Sequence, residues 1–312
     1  MRILVVGAGA IGGYYGGRLL EAKQDVTFLV RGRRAAELAA AGLVIQSPAG
    51  AVTLAQPPTV LAENLHLQYD LILLSCKAYD LDSAITSLAP AVGPETMILP
   101  LLNGMRHLDV LEQRFGPARV LGGLCVISSM LEPGGRVVHL NDLHLLIFGE
   151  REGGRSARVE AVAASFAGAH FDSRLSETIL QDMWEKWVFI AACAGITCLM
   201  RATVGDIVAA DAAGLATTLL DECTAIAASQ GYAPRPKSLE QSRAILTTAG
   251  SGLAASMLRD VERHGPTEAA HMIGDLLRRG EEKAIPSPLL HLAYAHLKAY
   301  EARRVREAGT QE

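Results

Sequence analysis

Arg2-Ile3-Leu4-Val5-Val6 runs without interruption into Gly7-Ala8-Gly9-Ala10-Ile11-Gly12. The apolar residues read as a strand, and the glycines that follow have the spacing G-x-G-x-x-G. Each glycine has a separate physical task. Gly7 allows a tight turn, and Gly9, lacking a Cβ, lets a pyrophosphate approach the backbone. Gly12 lets the following helix pack closely on the strand. The first amides of that helix, at Ala10, Ile11 and Gly12, then face the phosphates from its positive dipole end. A Gly-rich surface turn or the core of a secretory signal would share part of this pattern. A signal, however, needs a basic flank and a small-residue cleavage site. Here the apolar run is short and leads directly into the glycines.

The second strand, Asp25 to Val30, ends where folds that bind NAD place an acid on the ribose 2′-hydroxyl. This chain has Arg31-Gly32-Arg33-Arg34 there instead. A carboxylate would repel a 2′-phosphate, whereas a guanidinium pairs with it through two parallel hydrogen bonds. NADP(H) is therefore the expected cofactor, with Arg31 as the first candidate and Arg33 or Arg34 assisting. At least one of these arginines is expected to be a solvated residue at a helix start.

Composition narrows the function classes. The 312 residues are half hydrophobic and 20% charged, with a net charge of −4. That length suits two domains with sizeable cores. Basic residues are scattered without interleaved aromatics, which argues against a nucleic-acid partner. The longest apolar run, Trp187 to Met200, is too short for a bilayer and reads as a buried helix. Five unpatterned cysteines suggest buried thiols in a reducing cytoplasm. Neither Cys193 and Cys198 nor the nine histidines have the spacing of a metal site, and none is expected.

Strands and helices alternate up to about residue 175. Short strands are expected at Leu43 to Ser47 and Ala51 to Leu54, and buried strands at Leu71 to Ser75 and Thr96 to Leu101. Asp80 to Ala89 has helical patterning. Glu132-Pro133-Gly134-Gly135 is a turn signal between Val120 to Ser129 and Arg136 to Leu140, giving an antiparallel hairpin. Leu145 to Phe148 and His170 to Asp172 are expected to complete the sheet edge. From Ser176 onward the pattern is helical, with further helices at Ala209 to Gln230, Leu253 to Arg263, Pro266 to Gly280 and Pro288 to Arg306. The expected fold is α/β: a Rossmann-type doubly wound sheet with an antiparallel extension over 1–175, then an all-helical domain over 176–312.

Four residues stand out for chemistry. Lys77 and Asn103 follow the carboxyl ends of two buried strands, where open α/β sheets bind ligands. By position alone, each is equally a surface lysine or an ordinary Asn-Gly turn. Lys186 lies between Trp184 and Trp187. It either extends its head to solvent or is partly desolvated beside a ligand, which would lower its pKa and make it a better acid. Glu268 follows Pro266-Thr267 at a helix start, where a carboxylate is also favoured by the dipole alone.

Taken in order along nearly the whole chain, the motifs resemble the ketopantoate reductases (2-dehydropantoate 2-reductases). They are Gly7 to Gly13 with Gly16, Arg31, Lys77, Asn103-Gly104-Met105, and Met183-Trp184-Glu185-Lys186. Ser256-Met257-Leu258-Arg259-Asp260, Pro266-Thr267-Glu268 and Ile285-Pro286-Ser287-Pro288 follow. The resemblance implies hydride transfer from NADPH to the 2-oxo carbon of a small 2-oxo acid. It makes Lys186 the general acid and Glu268 the substrate-positioning carboxylate. It also places Lys77 and Asn103 at the cofactor and substrate, and Ser256 at the substrate.

The chain departs from the pattern where the pantoate enzymes carry asparagine: here Ile190, Ala194, Leu253 and Ile273. If these line the site, the substrate is less polar than ketopantoate, because an apolar pocket gives a hydroxyl no partner. One alternative is therefore a related 6-phosphogluconate-dehydrogenase-like reductase for a more apolar oxo acid. A non-catalytic NADP(H)-binding sensor is the other, against which retention of both Lys186 and Glu268 argues. Beyond the 2-oxo acid, a homodimer is left open, and neither nucleic acid nor membrane is an expected partner.

Overall fold

β1 (Arg2–Val6) is apolar along its length and buried over four of its five residues, as a parallel strand covered on both faces must be. The structure is a computed structural model and describes residues 1–309. Residues 310–312, the end of the expected second domain, lie outside them. The chain divides into two compact units. The first comprises Met1–Leu102 and His107–Leu180, the second Asn103–Arg106 and the described residues from Gln181 onward. The division at Leu180 lies five residues beyond the expected position near 175. The grouping of Asn103–Arg106 with the second unit has no counterpart in the sequence pattern.

In the first unit, β1 leads through α1 (Ala10–Glu21) to β2 (Asp25–Leu29) and then α2 (Gly32–Ala41). Next come β3 (Leu43–Gln46), β4 (Val52–Leu54), the two-residue β5 (Thr59–Val60) and β6 (Leu71–Leu74). α3 (Leu81–Leu88), β7 (Met97–Pro100), α4 (Arg106–Phe115), β8 (Gly122–Leu131), β9 (Val137–Gly149), α5 (Ala157–Phe166) and β10 (Asp172–Leu175) complete the series. One sheet is wholly parallel in the order β5-β2-β1-β6-β7. The strand order reverses at β1, so the carboxyl end of β1, where the glycines begin, is the topological switch point that binds ligands in such sheets.

The expected antiparallel extension is a second, mixed sheet. β8 and β9 pair antiparallel, as do β3 and β4, while β9 pairs parallel with both β3 and β10. The hairpin arms are longer than their apolar patches, and β9 absorbs the separately expected Leu145 to Phe148. The two-residue strand β5 escapes periodicity because two residues have no period. Tyr14 on α1 lies 2.7 Å from His144 Nδ1, and the His139 and His144 rings stack with centroids 5.6 Å apart.

The second unit is helical: α6 (Ile179–Met200), which begins in the first unit, then α7 (Val204–Ala209), α8 (Ala213–Ser229), α9 (Pro236–Leu246), α10 (Ser256–Glu262), α11 (Asp275–Glu281) and α12 (Pro288–Ala308). α6 extends well beyond its apolar run. At 22 residues it has the length and composition to cross a membrane, yet it is mostly buried as a core helix. The helix expected over Ala209 to Gln230 is α8, which begins four residues later at Ala213; the short α7 before it is not an expected element, and Asp211, at φ +58, lies between the two. Left-handed backbone of that kind ends a right-handed helix.

The helix expected from Pro266 also starts later. The Thr267 amide donates to the Glu301 carboxylate on α12 at 2.6 Å. A single π turn, Ala270–Gly274, then leads into α11. Such turns often mark functional positions.

Candidate active site

In the first unit, Gly7 has φ +91, and its amide donates to the Leu29 carbonyl at 2.9 Å, tying the turn to β2. A Cβ on Gly12 would lie 2.1 Å from both the Gly7 carbonyl oxygen and the Ser75 hydroxyl. That hydroxyl donates to the Val6 and Gly7 carbonyls. Gly12 is thus a packing glycine. Gly9 is different: it is the N-cap of α1, no side chain caps the helix, and a Cβ there would meet no atom within 4 Å. The first-turn residues Ala10, Ile11 and Gly12 follow this open space, so the geometry suits an anionic group held by helix amides.

The three arginines after β2 have three different surroundings. Arg31, the N-cap of α2, is 73% exposed and donates to Asp80 Oδ1 at 2.6 Å and Ser83 Oγ at 3.1 Å. Hydrogen bonding to Asp80 raises its pKa still further. Arg33 is exposed and pairs with Glu37. Arg34 is mostly buried, and its Nε donates to the Ala8 carbonyl at 3.0 Å, bracing the glycine turn. Lys77 is exposed after β6, and its carbonyl accepts from the Asp80 amide at 2.9 Å.

In the second unit, the Lys186 ammonium donates to Asn103 Oδ1 at 2.9 Å. Two residues 83 apart in sequence, each singled out separately, therefore meet. Both are half-buried. Lys186 is aimed by its neighbours on α6. The Trp187 indole donates to the Met272 carbonyl in the π turn at 2.9 Å, and the Trp184 ring stacks on Tyr232.

Glu185 and Asp182 are 8% and 7% exposed, and both accept from Arg235. Burial raises the Glu185 pKa, but hydrogen bonds from Arg235 and Gln181 outweigh it and hold the carboxyl below its ordinary range. Removing Arg235 leaves two buried carboxylates without this partner. Arg235→Ala is expected to destabilise the protein by about 2 kcal/mol, in line with the loss of a charged hydrogen-bond partner. Arg235→Lys should recover only part of that, because lysine cannot reproduce the fork. Urea unfolding midpoints measure both.

His271, on the π turn, lies beneath the Asn103-Gly104 turn. It hydrogen-bonds the Asn103 backbone, and a Cβ on Gly104 would come 3.3 Å from its ring. Glu268, half-buried, precedes this turn, and its carbonyl accepts from the His271 and Met272 amides. One short segment therefore carries Glu268, supports Asn103 and anchors the helix of Lys186. Ser256 is exposed at the start of α10.

Of the four positions where asparagine was noted as missing, Ala194 and Ile273 are 1% and 0% exposed and pack in the core. They present no surface to a ligand. Ile190 and Leu253 are half-buried. The supports at Arg235 and His271 left no sequence signal, since each acts on a residue far away in the chain.

Burial pushes the His271 imidazole below its usual range despite the opposing pull of Glu268 and Asp275, and burial does the same to His144 despite Asp172. Each histidine binds a proton more readily unfolded than folded. Stability is therefore full above the unfolded value of about 6.5 and declines as the pH falls below it. The melting temperature at pH 5.5 is expected to lie below that at pH 7.5, and His144→Gln should narrow the gap.

Comparisons with known proteins identify the family. The family model described as ketopantoate reductase PanE/ApbA matches residues 3–153, and its C-terminal counterpart matches residues 178–301. The oxidoreductase YkpB of Bacillus subtilis is 39% identical over 305 residues, covering 97% of this chain and all of that protein. The 2-dehydropantoate 2-reductase of Pyrococcus horikoshii is 29% identical and covers 97% of this chain and 98% of its own length. The crystal structure of 2-dehydropantoate 2-reductase from Geobacter metallireducens superimposes with a TM-score of 0.88 at 29% identity, over 96% of this chain and 99% of that one. With both halves matched by the family models and a relative 39% identical over nearly the whole chain, this chain belongs to the ketopantoate reductase family of oxidoreductases.

Proposed function

We propose that this chain is an NADPH-dependent reductase converting a small 2-oxo acid into the 2-hydroxy acid. Ketopantoate reduction for pantothenate biosynthesis in the cytoplasm is the specific reading. The observation that carries it is the Lys186–Asn103 hydrogen bond in the second unit, on a framework shared with Glu268.

The first unit would hold the cofactor through Gly7, Gly9, Ala10, Ile11 and Gly12, with Arg31 at the 2′-phosphate and Lys77 nearby. The open space at Gly9 and the helix amides after it fit a pyrophosphate. When bound, the nicotinamide supplies a hydride to the oxo carbon. Asn103 accepts one hydrogen bond from the Lys186 ammonium and so fixes the direction in which the remaining protons point. Lys186 stabilises negative charge on the substrate oxygen and gives it a proton. Glu268 and Ser256 orient the substrate, and that alignment supplies much of the rate.

A more apolar 2-oxo acid is the second reading, favoured by half-buried Ile190 and Leu253. The test is the oxidation of NADPH by purified protein with ketopantoate and with 2-oxo acids of similar size that lack its hydroxyl. Preference for ketopantoate supports the first reading, and equal or better rates with the others support the second. Tight nucleotide binding without turnover on any of them would overturn both in favour of a sensor.

A further inference from the structure

We propose that Asp80 is a specificity-determining residue that weakens discrimination in favour of a 2′-phosphorylated dinucleotide by engaging the Arg31 guanidinium. This rests on the reading of the first unit as a dinucleotide site. Arg31 and Asp80 are 49 residues apart and meet at 2.6 Å, with Ser83 Oγ a further acceptor at 3.1 Å. Asp80 stands at the N-cap of α3, where an aspartate ordinarily accepts from the first helical amides. Here its side chain makes no capping bond and turns to Arg31 instead. The carboxylate therefore serves the arginine and not its own helix.

A phosphate binding at Arg31 must displace this carboxylate or share the guanidinium with it. Both routes disfavour the extra phosphate: the first breaks an ion pair, and the second places like charges within a few ångströms of each other. Neither acts on a dinucleotide with a free 2′-hydroxyl. Arg33 does not take over this role, because it faces Glu37. Arg34 is committed to the Ala8 carbonyl.

The experiment measures dissociation constants of NADPH and NADH for the unmodified protein, Asp80→Asn, Arg31→Ala and the double variant. Unfolding curves confirm that each is folded. Asp80→Asn is expected to raise the ratio of NADPH to NADH affinity about fivefold, as for loss of one exposed charge beside a phosphate. NADH affinity should change little, and the gain should vanish in the Arg31→Ala background. An unchanged or reduced ratio, an equal gain for both nucleotides, or a gain that persists without Arg31 would overturn the assignment. Failure of the unmodified protein to bind either nucleotide would remove the underlying dinucleotide site as well. Binding of both with an immobile ratio would remove only the role of Asp80.

Discussion

Lys186→Ala is expected to lower kcat by about 10²–10⁴, the usual contribution of a positioned general acid, while the dissociation constant of NADPH stays nearly constant. The expectation follows from one bond and its supports. The ammonium donates to Asn103 Oδ1 at 2.9 Å, and the neighbouring Trp187 and Glu185 are fixed by Met272 and Arg235. Because those anchors do not involve Lys186, its removal should leave α6 in place and the unfolding midpoint nearly unmoved. Asn103→Ala should act less severely, since the ammonium remains and loses only its orientation. Stopped-flow oxidation of NADPH separates the chemical step from binding. A Lys186→Ala enzyme with near-normal kcat would remove the lysine from the mechanism.

Gly9→Ala and Gly12→Ala are expected to fail in different ways although both lie in one motif. A Cβ at Gly12 would stand 2.1 Å from the Gly7 carbonyl oxygen, which belongs to the backbone and cannot swing aside. Gly12→Ala should therefore cost about 3 kcal/mol or more, the upper range for an overpacked core, and lower the yield of folded protein. A Cβ at Gly9 meets nothing. Gly9→Ala should keep the stability of the unmodified protein and lose affinity for NADPH, because the methyl occupies the space proposed for the pyrophosphate. Thermal unfolding and nucleotide titration on the two variants decide the point. A Gly9→Ala protein that binds NADPH normally would show that the phosphates lie elsewhere.

Local chemistry made the first half of this molecule legible. β1 and β6 are short, continuous apolar runs because both faces of a parallel sheet are covered, and that pattern is visible without any partner strand. The glycine turn was legible for the same reason: its constraints act on consecutive residues. Lys186, Glu268 and Asn103 were named from their immediate neighbours, with roles supplied by family resemblance. The helix from Pro266 was placed a few residues early, since proline suits a first helical turn but does not require one, and the chain reaches the π turn only at Ala270. The start of α8 was placed four residues early because aspartate, here Asp211 at φ +58, tolerates both helical and left-handed backbone.

Sequence alone determined the alternation of strands and helices in the first half and the helical character of the second, the glycine turn at Gly7 to Gly12, and the basic residue that follows β2. Only the tertiary structure decided that Lys186 meets Asn103, that Arg235 and His271 hold the two in place, that Ala194 and Ile273 are core, and that Arg31 is engaged by Asp80. The reason is physical. Helix and strand periodicity, turn conformation and dipole effects operate over a few residues and leave a local pattern. Hydrogen bonds between side chains 49 to 83 residues apart depend on which faces the packed elements present to one another, and no stretch of sequence records that.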